Sequence, residues 1–335
     1  MTGQHSALDH LPMAVVVVTW NSAAVLPAML ESLAACDPPP AELIVVDNAS
    51  ADRSRALVEE FDSDRLVAVR SISNAANVGF AAAVNQGIAA STRPYVCLLN
   101  PDIRLLPGTL AALCGALDGG APDLAAVGGK LLRAHGDELQ PTTVIDSTGI
   151  VMTRDGRHFD RGAGEADIGQ YDREEEVFGI TGAMVLFRWD VLERSKVDGE
   201  ILDEDFFAFR EDADLAWRLR GFGYRALYVP SALAYHRRSV TPERRRSLSP
   251  IINRHSVKNR LLLRIHHADR GWLFRFGMQS LVRDIVVIGA CFTIERSSLP
   301  ALWWVLRNWR RHVRRRHEIM ARRTAVSLEL RRWFT

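Results

Sequence analysis

The sequence predicts an α/β fold in which helices cover both faces of a mostly parallel sheet. Three observations lead to this prediction: uninterrupted β-branched runs, amphipathic segments of helical period between them, and short connections. Residues 13–19 (MAVVVVT) form the clearest run, which is typical of a strand buried on both faces. The chain has 335 residues, 47% of them apolar, so it can bury a sizeable core.

Strand and helix patterns alternate through the first hundred residues. The predicted strands cover residues 13–19, 43–46, 66–70 and 95–99, and the helices between them cover residues 24–35, 50–61 and 79–90. Ser50 is the expected N-cap of the second helix. Farther along, we expect strands at 183–187 and 225–229 and a helix at 211–221. The charged residues 154–176 are typical of a mobile insertion.

Charge is distributed unevenly along the chain. Residues 237–335 contain 23 lysines and arginines and 6 acidic residues, whereas residues 1–236 contain 19 basic and 34 acidic residues. An acidic body and a basic tail usually have different partners. The four cysteines lie far apart with no CxxC pair, which fits a reducing compartment and argues against a disulfide scaffold or a cysteine zinc site. The polar N-terminus has no signal-peptide pattern.

Polar residues follow the predicted strands at the points where these strands end. They include Thr19, Asn21, Asp47, Asn100 and Asp102. Turn chemistry explains any one of them, but strand ends on one edge of a parallel sheet favour a shared ligand. A carboxylate such as Asp102 just past a buried strand suits Mg²⁺ or Mn²⁺ and the phosphates that such an ion binds.

Two further positions carry candidate chemistry. Asp212 begins the inward stripe of the predicted helix 211–221, and Glu211 precedes it. Helix N-termini favour carboxylates for structural reasons, but an inward carboxylate can also act as a general base toward a hydroxyl group. His236 follows another predicted strand, where it is either structural or a second ligand beside Asp102.

Seven segments of this chain, taken in order, resemble the family 2 glycosyltransferases, which have the GT-A fold. The most similar branch is that of the bacterial rhamnosyltransferases and galactofuranosyltransferases. The segments span about residues 13–239 and include VVVVTWNS, IVVDNASAD, NAANVGFAAAVNQGI, LLNPD, ITGAMVLFR, FFAFREDADLAWRLRGFGYR and YHRRS. Each segment is weakly specific alone, and together they are highly specific.

The resemblance implies a role for each matched residue. The nucleotide-sugar pocket would be formed by Thr19, Asn21, Asp47, Asn77, Gly79, Asn85 and Asn100. The metal would be held by Asp102 and His236, since Asn100-Pro101-Asp102 matches the DxD element with Asn in place of its first Asp. Asp212 would be the catalytic base, supported by Glu211. The acceptor pocket would be shaped by Gly182, Ala183 and Trp217.

The implied reaction is an inverting, metal-dependent sugar transfer that needs Mg²⁺ or Mn²⁺. From the resemblance alone we expect dTDP-L-rhamnose as donor, with UDP-galactofuranose, UDP-GlcNAc or UDP-galactose as alternatives. The expected acceptor is a glycan or polyprenyl-linked glycan of the cell envelope. Two other classes stay open, a nucleotidyltransferase and a non-catalytic nucleotide-sugar-binding or membrane scaffold protein. The first normally has a Gly-rich phosphate loop, which TWNSAAVLP lacks.

The chain is predicted to have two parts. Residues 1–240 would form the catalytic domain, with a donor half at about 13–120 and an acceptor half at about 121–240, and residues 241–335 a basic helical region.

In the basic region, Leu302, Leu306, Trp309 and Val313 form a stripe surrounded by arginines, which is typical of a helix lying on an anionic membrane. The alternative is packing against the catalytic domain or a second subunit. The nearly uncharged run 285–294 is too short to span a bilayer. We therefore expect a cytoplasmic protein, peripheral on the inner face of the cell membrane. No nucleic-acid-binding motif accompanies the charge, so no nucleic-acid partner is expected.

Overall fold

The computed structural model describes residues 10–61, 64–238 and 250–335. Twelve strands are found in this part of the chain. They are β1 (Leu11–Thr19), β2 (Pro40–Asp47), β3 (Ala68–Ser73), β4 (Tyr95–Leu99), β5 (Ile103–Leu105), β6 (Leu124–His135), β7 (Gln140–Ser147), β8 (Ile150–Met152), β9 (His158–Asp160), β10 (Glu175–Val177), β11 (Met184–Arg188) and β12 (Arg225–His236).

Helices cover the sheet and form the C-terminal region. They are α1 (Leu26–Ala34), α2 (Ser54–Glu59), α3 (Phe80–Ala90), α4 (Thr109–Asp118), α5 (Trp189–Ser195), α6 (Glu211–Gly221), α7 (Pro250–His267), α8 (Arg270–Thr293), α9 (Leu299–Arg307), α10 (Trp309–Ala321) and α11 (Ser327–Arg331).

The central sheet has the predicted mostly parallel half. Strands β3, β2, β1 and β4 are adjacent and parallel, and β11 joins β4 in the antiparallel sense before β6 and β12. Along β1, Val15 and Val17 enter the core on one face while Val16 and Val18 enter the core on the other. The parallel register pairs Thr19 with Asp47, so the ends of β1 and β2 lie side by side.

Three local predictions differ from the structure. The second helix begins at Ser54 rather than Ser50, because the Ser50 hydroxyl donates a hydrogen bond to Asp47 instead of capping a helix. The last predicted strand continues from Val229 to His236. Residues 154–176 are held to the sheet rather than hanging free, since the Lys130 ammonium lies 3.1 Å from the Asp167 carboxylate.

The C-terminal helices pack against the back of α6. Trp217 on α6 is 2% exposed, stacks on His267 of α7 with 5.2 Å between ring centroids, and contacts Phe334 at 4.9 Å. Trp272 of α8 belongs to the same apolar cluster. The sheet region and the C-terminal helices thus share a core, and the division at residue 240 into a catalytic domain and a basic helical region stays a prediction.

The helix predicted to carry the stripe 302–313 is divided at Asn308. Arg315 is 1% exposed and lies 3.1 Å from Asp203 and 3.0 Å from Glu200. Arg316 donates to the backbone carbonyls of Ile265 and Ala268. These contacts support the packing alternative for one side of α10, while Arg310 and Arg314 on its other side are exposed.

The longest apolar helix is α8, which has 24 residues. Length and composition alone would let α8 cross a membrane, because the run 285–294 is continued toward the N-terminus by further apolar residues. One side of α8 is tied to α7, since Asp284 pairs with Arg260 at 3.2 Å and with Arg264 at 2.6 Å.

A buried polar network joins α6 to α7 and α10. The Asp214 carboxylate accepts hydrogen bonds from His267 Nε2 at 2.7 Å and His266 Nδ1 at 3.1 Å, and it lies 3.4 Å from Arg218. The other ring nitrogen of His266 is 3.1 Å from His312 Nδ1. All five side chains are buried. Burial disfavours the charged Asp214, but the two histidines outweigh it and hold the pKa of this carboxyl well below its usual range.

The first prediction concerns His267, which burial keeps neutral by lowering its pKa to about 4. Its unfolded pKa is near 6.5, so between these values the unfolded state binds more protons and the folded state is destabilised as pH falls. His267→Gln retains a donor for Asp214 but does not titrate. Between pH 7.5 and pH 5.5, the free energy of unfolding measured by urea denaturation should fall by about 1 kcal/mol more in wild type than in the variant.

The same substitution at exposed His317 of α10 is the matched control. Parallel stability curves for wild type and His267→Gln would contradict the neutral, buried state of this histidine.

Candidate active site

The chain enters α6 through a strained segment. Phe207, Phe209 and Arg210 have φ angles of 64°, 70° and 73°, a region that non-glycine residues rarely adopt. Such conformations persist where surrounding contacts hold them and are concentrated at functional sites. The segment ends at Glu211, the first residue of α6. The two carboxylates predicted from the sequence, Glu211 and Asp212, therefore come directly after a constrained turn in the chain.

Asn259 of α7 holds this turn. Its buried side-chain amide lies 2.9, 2.8 and 2.7 Å from the carbonyl oxygens of Phe206, Ala208 and Phe209, to which it donates. The ring of His255, one turn earlier on α7, stacks on Phe207 at 4.7 Å. A side chain from the C-terminal region thus fixes the backbone immediately before the carboxylate pair.

Asp212 lies partly exposed at the start of α6 and faces Gly182. The Gly182 N–H donates to one carboxylate oxygen at 3.2 Å, and the Ala213 N–H donates to the other at 2.7 Å. Burial raises the pKa of Asp212, against the effect of these hydrogen bonds and of the Arg238 charge. Burial and the neighbouring Asp212 charge raise the pKa of Glu211 to about 8.

Both carboxylates line a pocket with largely apolar walls. The walls include Phe80, Leu98, Ile180 and Val185, and Gly182 lies beside Asp212. One oxygen of Glu211 is buried and accepts no hydrogen bond from the described residues. An apolar wall beside a carboxylate favours its protonated form, which is the physical origin of the raised pKa of Glu211. At neutral pH the pair therefore carries about one negative charge.

Asp102 and His236 meet at the end of the sheet. The His236 Nε2 atom lies 3.3 Å from Asp102 Oδ1, and Nδ1 lies 2.7 Å from the fully buried Asp146 carboxylate. Burial disfavours the charged imidazole, but the two carboxylates outweigh it and raise the pKa of His236 to about 10.

These residues fit a divalent cation. Apart from the ion pair with His236, the buried Asp102 Oδ1 has no partner among the described residues, and a divalent cation would displace the imidazole proton, since a ligating histidine is neutral. Metal sites commonly contain a carboxylate that does not touch the ion but fixes the ring of a ligating histidine, and Asp146 is placed to orient His236 in this way. The structure brings the two predicted ligands together, and their metal-binding role stays a prediction.

The ends of β1 and β2 form a hydrogen-bonded cradle. Thr19 donates to Asp47 at 2.8 Å, and the Ser50 hydroxyl donates to the same carboxylate at 2.6 Å. Asn21 accepts from the Ala51 N–H at 2.8 Å. The predicted donor residues Thr19, Asn21 and Asp47 are thus neighbours. Thr19 is fully buried and its hydroxyl hydrogen is taken up by Asp47, and the donor-binding roles of Thr19, Asn21 and Asp47 stay predictions.

The loop before α3 is organised by Asn48. Its side-chain amide donates to Asn77 at 3.1 Å and to the Gly79 carbonyl at 3.1 Å, and Asn77 in turn accepts from the Gly79 N–H at 2.9 Å. Gly79 has φ of 92°, and a Cβ there would lie 2.6 Å from the Phe207 ring. Glycine is therefore required for packing against the turn before α6, and an approach of Gly79 to the donor stays a prediction.

Two predicted site residues make structural contacts. The Asn85 amide donates to the Leu202 carbonyl at 2.8 Å and accepts from the Leu202 N–H at 2.9 Å, so it anchors this backbone. Trp217 lies in the core shared with the C-terminal helices. The donor role of Asn85 and the acceptor role of Trp217 stay predictions.

Asn100 and Ala183 lie beside the site and are joined by a backbone hydrogen bond. The Asn100 N–H donates to the Ala183 carbonyl at 2.9 Å, which ties the NPD turn to the segment of Gly182. The predicted donor role of Asn100 and the predicted acceptor roles of Gly182 and Ala183 stay predictions.

The family model described as "Glycosyl transferase family 2" matches residues 14–194. This match covers more than half of the chain. The chain belongs to glycosyl transferase family 2. Membership makes the protein a glycosyltransferase rather than a nucleotidyltransferase or a non-catalytic scaffold.

This glycosyltransferase is 28% identical over 259 residues to the N-acetylglucosaminyl-diphospho-decaprenol L-rhamnosyltransferase of Mycobacterium tuberculosis, covering 69% of this chain and 77% of the relative.

Two solved structures are similar in fold. The mannosyltransferase PcManGT of Pyrobaculum calidifontis, in complex with GDP-Man and Mn²⁺, has a TM-score of 0.52 at 17% identity, with 93% of this chain and 86% of that chain covered. GalNAc-T7 with UDP, GalNAc and Mn²⁺ has a TM-score of 0.58 at 11% identity, with 79% of this chain covered. This chain spans half the length of GalNAc-T7. These likenesses confirm the predicted GT-A fold.

Sequence reasoning missed several residues that build the site of this glycosyltransferase. Asn48 was visible as a polar residue after β2, but its role as a loop organiser depends on partners 26–31 positions away. Asp146 and Asn259 have no motif around them. Asn259 lies 50 to 53 residues after the carbonyl groups that it holds, so no local pattern connects them.

The second prediction tests Asn259 as a positioning residue. Asn259→Leu keeps the side-chain volume but removes the donor, so the turn before Glu211 loses its support. We expect kcat to fall roughly tenfold or more, because a small misplacement of a catalytic group is costly. Donor binding, measured by thermal shift, should be unchanged.

Asn253→Leu on the same helix is the matched control, since the Asn253 amide makes no hydrogen bond within the described residues. Normal kcat in Asn259→Leu, or a loss that matches the loss of folded protein, would rule out positioning.

Proposed function

We propose that this glycosyltransferase transfers L-rhamnose from dTDP-L-rhamnose to a hydroxyl group of a glycan or polyprenyl-linked glycan in cell-envelope polysaccharide synthesis, with inversion at the anomeric carbon. The observation that carries the chemistry is the position of Asp212, a partly exposed carboxylate with a raised pKa. Arg238 connects Asp212 with the Asp102–His236 pair. Its charge lowers the pKa of Asp212, and its guanidinium group lies 3.2 Å from Asp146, which orients His236.

Asp212 is suited to act as the general base. Two backbone N–H groups fix its orientation, and the raised pKa makes it a stronger proton acceptor than an ordinary aspartate. The acceptor hydroxyl would give its proton to Asp212 as its oxygen attacks the anomeric carbon. Attack opposite the leaving nucleotide inverts the configuration, and no covalent sugar–enzyme intermediate is needed. The neutral form of Glu211 leaves the negative charge of the pair on Asp212.

Asp102 and His236 would hold the divalent cation, Mg²⁺ or Mn²⁺. When bound, such an ion neutralises charge that develops on a diphosphate leaving group. Asp146 would keep the imidazole oriented through Nδ1. The presence of Mn²⁺ in both similar solved structures supports this assignment.

The donor and acceptor are proposed from the relative. Its name gives rhamnose as the transferred sugar and a lipid diphosphate as the carrier, which supports the same classes here. UDP-galactofuranose, UDP-GlcNAc and UDP-galactose are the alternative donors.

We also propose that the protein is cytoplasmic and bound peripherally to the inner face of the cell membrane through α8 rather than α10. Phe274 and Met278 of α8 are 91% and 73% exposed, and Leu281 and Ile285 continue the same apolar stripe. Arginines border this stripe, so it complements an anionic bilayer. A second copy of the chain is the other occupant to test.

The third prediction concerns catalysis. Asp212→Asn removes the base but keeps the side-chain shape, so kcat should fall roughly 10²- to 10⁴-fold while the donor-induced thermal shift persists. Nucleotide diphosphate release with acceptor present is the measurement. Asp190→Asn on α5, which removes one exposed carboxylate, is the control. Near-normal turnover of Asp212→Asn would exclude Asp212 as the base.

The fourth prediction concerns the metal and the donor. Wild type should be stabilised by dTDP-L-rhamnose only with Mn²⁺ or Mg²⁺, by about 2.7 kcal/mol at a hundredfold excess over Kd. Asp102→Asn should lose the metal-dependent part of this shift. Thermal denaturation with dTDP-L-rhamnose and with the three UDP-sugars, each with and without Mn²⁺, is the measurement.

Asp137→Asn, which changes an exposed carboxylate, is the control for Asp102→Asn. A larger shift with a UDP-sugar would replace the proposed donor but keep the site. A metal-dependent shift that survives in Asp102→Asn would refute the metal assignment.

A further inference from the structure

An open pocket of about 330 Å³ lies between α8, α11 and the turn after β8, at the back of the shared core. Four arginines line it: Arg154, Arg275, Arg331 and Arg332. The remaining walls are apolar and consist of Phe276, Leu328 and Phe334. None of these residues belongs to the active site described above.

The four guanidinium groups have no ionic partner. In the described parts of the chain none of them lies within 4.0 Å of a carboxylate, and Arg331 donates only to the backbone carbonyls of Ser327 and Gly271. The nearby carboxylates are already used, because Asp155 pairs with Arg157 at 2.8 Å and Asp269 pairs with Arg323. Four like charges around one pocket repel each other, so an anion there would relieve the repulsion.

The pocket keeps its shape because its elements are joined. The Thr335 N–H donates to the Met152 carbonyl at 2.9 Å, and the Arg154 N–H donates to the main-chain oxygen of Thr335 at 3.2 Å. Phe334 is buried against Trp272 and Phe276 of α8. The arginines therefore extend from three elements that are fixed relative to each other.

The chemistry of the lining indicates the class of anion. Guanidinium groups form paired, charge-assisted hydrogen bonds with phosphate oxygens, and four of them suit a group with more than one negative charge. The apolar floor suits carbon atoms attached to that phosphate. Arg275 follows Phe274, the most exposed residue of the α8 stripe, so the mouth of the pocket lies beside the surface proposed to contact the membrane.

We propose that this pocket binds the headgroup of a membrane lipid that ends in a phosphate or diphosphate. The arginines would hold the phosphate oxygens, and Phe276, Leu328 and Phe334 would contact the first carbons of the lipid. The inference rests on the proposed placement of α8 at the membrane, and the experiment below separates the two.

The test is co-sedimentation of the full chain with vesicles of matched surface charge that contain either phosphatidic acid, which ends in a phosphate, or phosphatidylserine. Wild type should bind phosphatidic acid vesicles several-fold more tightly. The variant Arg154→Gln/Arg275→Gln/Arg332→Gln should lose this preference, with a fall in affinity of roughly tenfold or more for phosphatidic acid. These three side chains make no hydrogen bond to the described protein, so the fold should be retained.

The matched control is Arg307→Gln/Arg310→Gln/Arg314→Gln, which removes the same charge from exposed positions of α9 and α10. It should keep the preference for phosphatidic acid. Equal binding of wild type to both vesicles, or equal losses in the two triple variants, would reduce the effect to general electrostatics and overturn the proposal. Thermal stabilisation by inorganic pyrophosphate that depends on the pocket, without a vesicle preference, would assign the pocket to a soluble phosphate instead.

The membrane placement is tested by Phe274→Ser/Met278→Ser, which leaves the arginines in place. Loss of binding to all vesicles in this variant, with pyrophosphate binding intact, would support insertion of α8 and locate the pocket beside it. Unchanged vesicle binding would overturn the placement of α8. Concentration-dependent dimers that dissociate in this variant would show that a second copy covers the stripe.

Discussion

The structure depends on the burial of the Asp214 carboxylate. Asp214 is 1% exposed in the middle of α6, two residues after the proposed base, and it is compensated by His266, His267 and Arg218. Leaving a buried acceptor without its hydrogen-bond donors costs about 1–3 kcal/mol, and more when the acceptor is charged. Since both histidines come from α7, the catalytic helix needs the C-terminal region to keep its own core. The sheet region and the C-terminal helices should therefore unfold together rather than as two independent units.

This dependence extends to the geometry of the site. Asn259 of α7 holds the turn that places Glu211 and Asp212, and the same turn packs through Phe207 against Gly79 at the start of α3. Asn85 fixes the backbone at Leu202 from the other side. A continuous set of contacts thus joins the donor side of the cleft, the carboxylate pair and the C-terminal helices. Preorganisation of this kind lowers the reorganisation needed when charge develops during a reaction.

The sheet and the carboxylate helix could be predicted from the sequence, because each depends on strand ends or on local period. The pairing of Asp102 with His236 was implied by the family resemblance alone, since spacing does not show that two distant residues meet. The contacts of Asn85 and Trp217 could not be predicted, since a local pattern shows that a side chain points inward but not what it meets there. The burial of Arg315 could not be predicted for a related reason. Apolar residues are usually taken to mark the buried face of an amphipathic helix, yet the carboxylates of Asp203 and Glu200, more than a hundred residues earlier, draw the cationic face inward.

Part of the opposite charge of the two halves of the chain is neutralised inside the fold, and the net charge of the whole chain is +2. The acidic body and the basic tail neutralise each other internally, as at Arg315 with Glu200 and at Arg311 with Asp205. The opposite charges of the two halves of this sequence thus partly pair with each other inside the folded chain, and to that extent they do not indicate an external partner. The cations that can attract such a partner are those left unpaired after folding. Four of these unpaired cations line the pocket beside α8. There the phosphate of a lipid would neutralise the arginines, as carboxylates of the chain neutralise Arg311 and Arg315.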